Sequence, residues 1–275
     1  MTLVTMDEAV ASCRPGGLGA FNVIQIEHAE AIVAGAEAVG RPTVLQISEN
    51  TVTYHGALAP LAMACLRIAA DSSGDVVVHL DHATDGQLVE EAVGLGVGSV
   101  MYDASALPHD DNVASTAEVA RWCHQRAVCV EAELGEVGGK DGVHAPGVRT
   151  DPVQAAAYVD ATGVDALAVA VGSSHAMLTR DAELDIELIA AIAAEVAVPL
   201  VLHGSSGVPD AGIAAAVAHG MVKINLATRL NQAMTGAVRA ALDADDTLVD
   251  PRRYLGAGRD AIASEVTRLL SLLAR

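Results

Sequence analysis

Short apolar, β-branched runs alternate with Ala-rich helical segments along the chain, and this alternation constrains the fold more than any other feature. Strands are expected near Leu18–Val23, Thr43–Ile47, Asp75–Leu80, Ser99–Tyr102, Val128–Glu133, Ala166–Val171, Leu200–Leu202 and Val222–Asn225. Helices fill the gaps: Ile26–Val39, Ala57–Ala70, Gly86–Gly94, Asn112–Gln125, Pro152–Ala161, Ile186–Val196, Pro209–His219 and Thr228–Leu242. Strands that are apolar throughout and separated by helices belong to a parallel sheet covered on both faces. Eight such units in 275 residues predict an α/β fold, a (β/α)8 TIM barrel. An open doubly wound sheet is the alternative. Its dinucleotide-binding version is weakened, because no G-x-G-x-x-G follows the first strand.

Helix punctuation agrees with this spacing. Asp151-Pro152 reads as a cap followed by Pro at the first helical position, and Pro209 can start a helix in the same manner. The tail from Asp250 opens with Asp-Pro and carries Val266, Leu269, Leu270 and Leu273 at three- and four-residue intervals. It predicts a C-terminal helical extension packed on the barrel or on a partner subunit. No linker-like or low-complexity tract interrupts the chain, so residues 1–275 are expected to form a single domain. With one Phe and one Trp, the core must be built from Ala, Val, Leu and Ile.

The net charge of −19 argues against nucleic-acid binding, which needs clustered Lys and Arg. A small anionic substrate remains compatible, because it feels only the local field. No signal-peptide pattern opens the sequence, and no run approaches a membrane-spanning length. Cys13, Cys65, Cys123 and Cys129 lack CxxC spacing and read as buried thiols, so a cytoplasmic setting is expected.

The barrel brings polar residues to one address, since active sites in this fold sit at the C-terminal ends of the strands. His82 follows the third strand, Glu133 ends the fifth, His175 follows the sixth, His203 the seventh and Asn225 the eighth. Three histidines with an open fourth position suit Zn²⁺, which can act as a Lewis acid on a carbonyl or hydroxyl oxygen. His79 reads either as a support behind the metal site or as strand packing. Strand alternation points Asp81 away from His82, but a bend at the strand end lets its carboxylate serve as acid or base. A hydrogen bond to a neighbouring loop is its other reading.

Gly204-Ser205-Ser206-Gly207 and Asn225-Leu226-Ala227-Thr228 each follow a strand and precede a helix. The loops after strands seven and eight recur as a phosphate site in such barrels, with backbone N–H groups at a helix N-terminus. Glu136 to Gly142 reads as a Gly-rich lid or as a plain solvated loop, with Lys140 and Asp141 in it. Lys140 and Lys223 are the only lysines, one in that loop and one inside a strand. A Schiff-base route is therefore poorly supplied, and a metal electrophile is the simpler reading.

Over nearly its whole length the sequence resembles the class II, metal-dependent ketose-bisphosphate aldolases, the fructose- and tagatose-bisphosphate enzymes. The resemblance runs through Ala20-Phe21-Asn22-Val23, His79-Leu80-Asp81-His82, Val130-Glu131-Ala132-Glu133-Leu134-Gly135, Val171-Gly172-Ser173-Ser174-His175, Leu202-His203-Gly204-Ser205-Ser206-Gly207, Lys223-Ile224-Asn225 and Asp250-Pro251-Arg252. It implies reversible cleavage of fructose 1,6-bisphosphate, or tagatose 1,6-bisphosphate, to dihydroxyacetone phosphate and glyceraldehyde 3-phosphate. It implies His82, His175 and His203 as Zn²⁺ ligands, Glu133 as a further metal-site carboxylate, and a second divalent or monovalent cation as an option.

The resemblance also implies that Asp81 exchanges a proton with the C4 hydroxyl. Gly204, Ser206 and Thr228 match positions that hold the phosphate, and Asn225 one that contacts the enediolate part of the substrate. Asn22 and Ser48 match positions near the other half of the sugar. Arg252 resembles an arginine that a neighbouring subunit offers to the distal phosphate, which implies a homodimer or homotetramer. Asp141 stands where the family has a lid Glu, and Ala176 where it has Gly. Ala227 replaces an Asp of the longer fructose-type enzymes and matches the tagatose-type branch. The competing readings are a zinc aldolase for another phosphorylated sugar or keto acid, and a non-catalytic barrel that binds metal or sugar phosphate.

Overall fold

A strand whose side chains are apolar on both faces must be covered on both, and the eight apolar runs achieve this by closing into a cylinder. In the computed structural model, which describes residues 3–135, 149–174 and 177–274, they form one closed barrel in the order β1 to β8. The strands are β1 (Leu18–Asn22), β2 (Thr43–Ser48), β3 (Val76–Ala83), β4 (Ser99–Tyr102), β5 (Cys129–Glu133), β6 (Ala166–Ala168), β7 (Leu200–Leu202) and β8 (Met221–Leu226). All neighbours are parallel, and β1 closes on β8 through Ala20 opposite Asn225.

The helices are α1 (Met6–Cys13), α2 (Ile26–Val39), α3 (Glu49–His55), α4 (Ala59–Asp71), α5 (Gly86–Leu95), α6 (His109–His124), α7 (Pro152–Thr162), α8 (Ile186–Glu195), α9 (Asp210–Ala218), α10 (Thr228–Ala244) and α11 (Pro251–Leu273). Asp151 caps α7 through the Gln154 N–H, with Pro152 at the first turn as its sequence indicates. Asp250 caps α11 in the same way, and Ile262, Val266, Leu269, Leu270 and Leu273 bury one face of that extension. The C-terminal helix packs between α2 and α10.

Two helices go beyond the expected set. The segment Thr5–Glu8 is a capping box in which Thr5 accepts from the Glu8 N–H and the Glu8 carboxylate accepts from the Thr5 N–H. It starts α1, whose Met6, Ala9, Val10 and Cys13 plug the N-terminal end of the barrel against Leu18, Ala20, Val44 and Val77. The short α3 is capped by Ser48. Its β-branched sequence carries weak helix propensity, so no periodic signal announces it.

Two strands end differently from expectation. β6 leaves the ladder at Ala168, well before Val171. β3 runs on to Ala83 through a register shift between Leu80 and Ala83, where His82 takes a left-handed backbone (φ 53°). All four cysteines are free thiols. Among the described residues, no single helix is long and apolar enough to cross a membrane.

Candidate active site

The bend at His82 decides what the site contains. In a regular strand Asp81 and His82 would face opposite sides. A non-glycine residue at positive φ costs energy and persists only where its surroundings hold it. Here the shifted register and the left-handed turn bring both side chains into one cleft.

That cleft, about 440 Å³, opens at the C-terminal end of the barrel. It gathers Asn22, Ser48, Asp81, His82, His203, Gly204, Ser206, Asn225 and Thr228, all singled out from the sequence, with Ser174, Ala227 and the α3 residues Asn50, Thr51 and Tyr54. Glu133 is buried and joins His82 and Asp103 in a second cluster of potential ligand atoms. Arg252 is not among the cleft-lining residues; it is exposed, and its guanidinium pairs with the Asp250 carboxylate. His175, Ala176, Lys140 and Asp141, with the Glu136–Gly142 stretch, lie outside the described residues. Ser174, next to His175 in the chain, has its backbone so close to Gly204 that a Cβ there would lie 2.5 Å from the Ser174 carbonyl oxygen. Gly204 also has a positive φ of 66°, so this contact between the ends of the sixth and seventh units requires glycine.

Of the three candidate metal-ligand histidines, the two among the described residues, His82 and His203, are each oriented by a carboxylate. His82 Nδ1 lies 2.7 Å from Asp103 Oδ2, and His203 Nε2 lies 2.9 Å from Glu131 Oε1. An ionised carboxylate only accepts, so in each pair the ring nitrogen is the donor. The other nitrogens, His82 Nε2 and His203 Nδ1, face one another at 3.0 Å. With two neutral rings, that contact would set lone pair against lone pair, so a proton or a cation must lie between them. Ligand atoms of Asp81, His82 and His203 fall within 4.8 Å of one another. This donor set fits a divalent transition metal, with each imidazole backed by an outer carboxylate in the usual way.

The charges agree with that fit. Burial opposes a proton on His82, but Asp81, Asp103 and Glu133 outweigh it and push the imidazole up to about 10. The same negative field that holds a proton there attracts a cation. Burial alone would raise Asp81; the neighbouring positive charge, His82 foremost, holds its carboxyl below the usual range. Asp81 Oδ2 accepts from Asn22 Nδ2 at 3.2 Å, and Asn22 Oδ1 in turn accepts from Gln46 Nε2 at 3.1 Å. Asp81 Oδ1 is buried without a hydrogen-bond partner among the described residues.

Beneath this layer lies a charged pair. Burial would raise Glu131, yet Lys223 and His203 hold it far below its ordinary value. Lys223 Nζ donates to Glu131 Oε2 at 2.8 Å, and both side chains are 2% exposed. His79 is fully buried, its Nδ1 2.8 Å from Ser99 Oγ and its Nε2 3.9 Å from Glu131, beyond hydrogen-bond reach. Burial and the Lys223 charge drive its pKa down to about 3, so it is neutral.

Asp103, and the work of Glu131 and Lys223, escape a sequence reading. A signal exists for the last two. Glu131 and Glu133 are two residues apart on β5, as are Lys223 and Asn225 on β8, so each pair shares the inward face.

Known proteins resemble this chain over nearly its whole length. The family model described as "Fructose-bisphosphate aldolase class-II" matches residues 4–275. A fructose-bisphosphate aldolase of Geobacillus stearothermophilus is 38% identical over 272 residues, covering 97% of this chain and 95% of the relative. One from Staphylococcus aureus strain Mu50 is 36% identical with the same coverage. Among solved structures, the YdjI aldolase from Escherichia coli K12 superposes with a TM-score of 0.83 at 28% identity, covering 98% of this chain and 97% of that one. A protein described as a putative fructose-1,6-biphosphate aldolase from Coccidioides immitis, at 24% identity, shares the fold with a TM-score of 0.84, over 98% and 95% of the two chains.

Proposed function

Because this chain belongs to the class-II fructose-bisphosphate aldolase family and is an aldolase, we propose that it catalyses the reversible, Zn²⁺-dependent cleavage of a ketose 1,6-bisphosphate. Fructose 1,6-bisphosphate is the first candidate, and the products are dihydroxyacetone phosphate and glyceraldehyde 3-phosphate. Tagatose 1,6-bisphosphate is the second, supported by Ala227 at the cleft wall. The observation that carries this reading is the pair of carboxylate-backed imidazoles whose remaining nitrogens oppose each other at 3.0 Å beside Asp81.

His82 and His203, with His175, would hold the Zn²⁺, which when bound supplies Lewis-acid polarisation of the substrate's oxygens. Glu133 stands by as a further carboxylate for that ion or a second cation. Asp81, kept anionic by the surrounding cations, takes the C4 hydroxyl proton on Oδ1. The C4 oxygen then forms the aldehyde carbonyl as the C3–C4 bond breaks, and the bonding electron pair passes into the dihydroxyacetone half. Asn22 fixes the Asp81 carboxylate in place. The Asn225 amide, with Nδ2 3.2 Å from His203 Nε2, sits where it can bond an oxygen of that half. Asp141 is assigned the return of a proton to the new carbanion, replacing the family's lid Glu.

Gly204, Ser206 and Thr228 receive the phosphate of the dihydroxyacetone half at the N-terminus of α10. Asn22 and Ser48 face the other half. Arg252, exposed on its own protomer, is offered to a neighbour's distal phosphate in a homodimer or homotetramer. We read residues 1–275 as one catalytic domain of a cytoplasmic enzyme acting on small phosphorylated sugars.

Coupled assays on fructose and tagatose 1,6-bisphosphates, with and without added Zn²⁺, test the reading. Chelation abolishes turnover, zinc restores it, and borohydride with substrate traps no adduct. Full turnover by a metal-stripped preparation would overturn it.

A further inference from the structure

A buried arginine lies directly behind the two loops assigned to the phosphate. Arg229, in the first turn of α10, is 2% exposed, and charged side chains are rarely so buried unless fully paired. Among the described residues, the hydrogen bonds of its guanidinium run from the turn after β7 to the first residue of α9. Nε donates to the Ser206 carbonyl at 3.3 Å, Nη2 to the Val208 carbonyl, and Nη1 to Asp210 Oδ1 at 2.7 Å. The same two loops meet a second time through Ser206 Oγ, which accepts from the Ala227 N–H at 3.3 Å and the Arg229 N–H at 3.4 Å. Behind Asp210 stands Arg268 of the C-terminal helix, 2.5 Å from Oδ2.

Resting on the phosphate-loop reading above, we propose that Arg229 is a positioning residue. Its guanidinium clamps the Ser205–Gly207 turn to the start of α10, so that the two halves of the phosphate site keep a fixed spacing.

The physical need is clear. Gly204, Ser205, Ser206 and Gly207 carry little side chain to hold the turn, and the phosphate is to be gripped by backbone N–H groups and short hydroxyls. Such a grip is strong only if its donors are already in place before the anion arrives. A planar fork can hold two carbonyls and a carboxylate together; a lysine ammonium on a flexible stem cannot keep that geometry. Positioning of the turn and simple positive charge therefore make different predictions for Arg229→Lys.

The test compares wild type, Arg229→Lys, Arg229→Met and Asp210→Asn as full-length, zinc-loaded protein. Inorganic phosphate is titrated calorimetrically, Zn²⁺ affinity is measured by chelator competition, and KM and kcat are obtained on the cleaved ketose bisphosphate. Arg229→Lys is expected to weaken inorganic phosphate about tenfold and raise KM alike, since a tenfold change needs only the loss of one good bond's worth of preorganisation. Its kcat and Zn²⁺ affinity should stay within about twofold of wild type, because the clamp touches neither the metal ligands nor Asp81. Asp210→Asn is expected to move phosphate affinity the same way by less. Should Arg229→Met fail to fold, Arg229→Lys and Asp210→Asn decide alone.

Unchanged phosphate affinity and KM in Arg229→Lys, with only a lower melting temperature, would overturn the proposal and leave Arg229 a structural ion pair. A wild-type enzyme that turns over the bisphosphate but does not bind inorganic phosphate would overturn it as well. A wild type with no turnover on any phosphorylated ketose would instead overturn the functional reading on which it rests.

Discussion

At the N-terminal end of the barrel, Leu18, Ala20, Val44 and Val77 close on α1 in an apolar cluster. One or two pleats further along the inward faces of the same strands stand Asn22, Gln46, His79 and Asp81, tied into buried polar pairs. The strands and their alternation are shared, and the contents are opposite. The N-terminal layers give stability without chemistry, whereas the C-terminal layers hold charges in low dielectric where each must be matched. The comparison teaches that the reactive end is a polar inclusion carried by an apolar plug, and substitutions at the two ends should therefore fail differently.

The largest difference is expected at the candidate metal cluster. His203→Ala removes one of two opposed ring nitrogens and leaves Glu131 without its acceptor role toward the ring. Activity should fall by more than ~10²-fold, beyond the effect of losing an outer partner, and metal content by atomic absorption should fall with it. A variant that keeps both full activity and full metal content would break the comparison at its centre.

Next comes the charge below that layer. Lys223→Met strands Glu131, 2% exposed, without its ammonium partner. Breaking a buried pair from one side costs about 3–5 kcal/mol. Because Glu131 also orients His203, Zn²⁺ affinity should drop by roughly 10–100-fold in chelator competition. By contrast Leu18→Ala, at the apolar end, should cost about 2–5 kcal/mol in denaturant unfolding and leave kcat/KM and metal affinity at wild-type values. If Leu18→Ala altered metal affinity as much as Lys223→Met does, the two ends would not be separable.

The legibility of these two ends in the sequence also differs, for a physical reason. Strand-end residues such as His82, His203 and Asn225 are legible because each follows its own apolar run, and one barrel geometry then supplies their common address. Asp103 and Glu131 act by pairing across strands, and periodicity tells which face a residue occupies but not which distant residue it meets. The bend at His82 is illegible for another reason: a left-handed histidine has no compositional signal, unlike a glycine at the same φ. Arg229 is hidden by its position on a helix, where an arginine reads as solvated. In the other direction, α1 carries a readable capping box in Thr5 and Glu8, and its place at the barrel floor follows only from the closed sheet.

A smaller effect follows from His79. Its pKa is driven down to about 3 by burial and by Lys223, below the ordinary value of 6.5. Between those values the unfolded chain binds a proton at this site and the native chain does not. Stability therefore falls as pH drops from 6.5 toward 3, by at most about 1.4 kcal/mol per pH unit for one proton. Above pH 6.5 neither state binds the proton, and the site contributes no slope. His79→Gln, which can still bond Ser99, should flatten that acid limb in urea unfolding series. An unchanged limb would mean that His79 takes up its proton in the native state and that the buried layer is less tightly charge-matched than its distances imply.

The smallest effect on the folded protomer is expected at Arg252, which belongs to neither end of the comparison. Its guanidinium is exposed and, among the described residues, bonds only Asp250, two residues away, so Arg252→Ala should leave the melting temperature unchanged. Its consequence, if a neighbour uses it, is confined to substrate. KM for a ketose 1,6-bisphosphate should rise several-fold, on the order expected for loss of one charged hydrogen bond, while KM for the matching ketose 1-phosphate stays constant. That split would extend the reactive end across a subunit boundary. Equal KM changes for both substrates, or none for either, would confine the site to a single protomer and assign the distal phosphate to other residues.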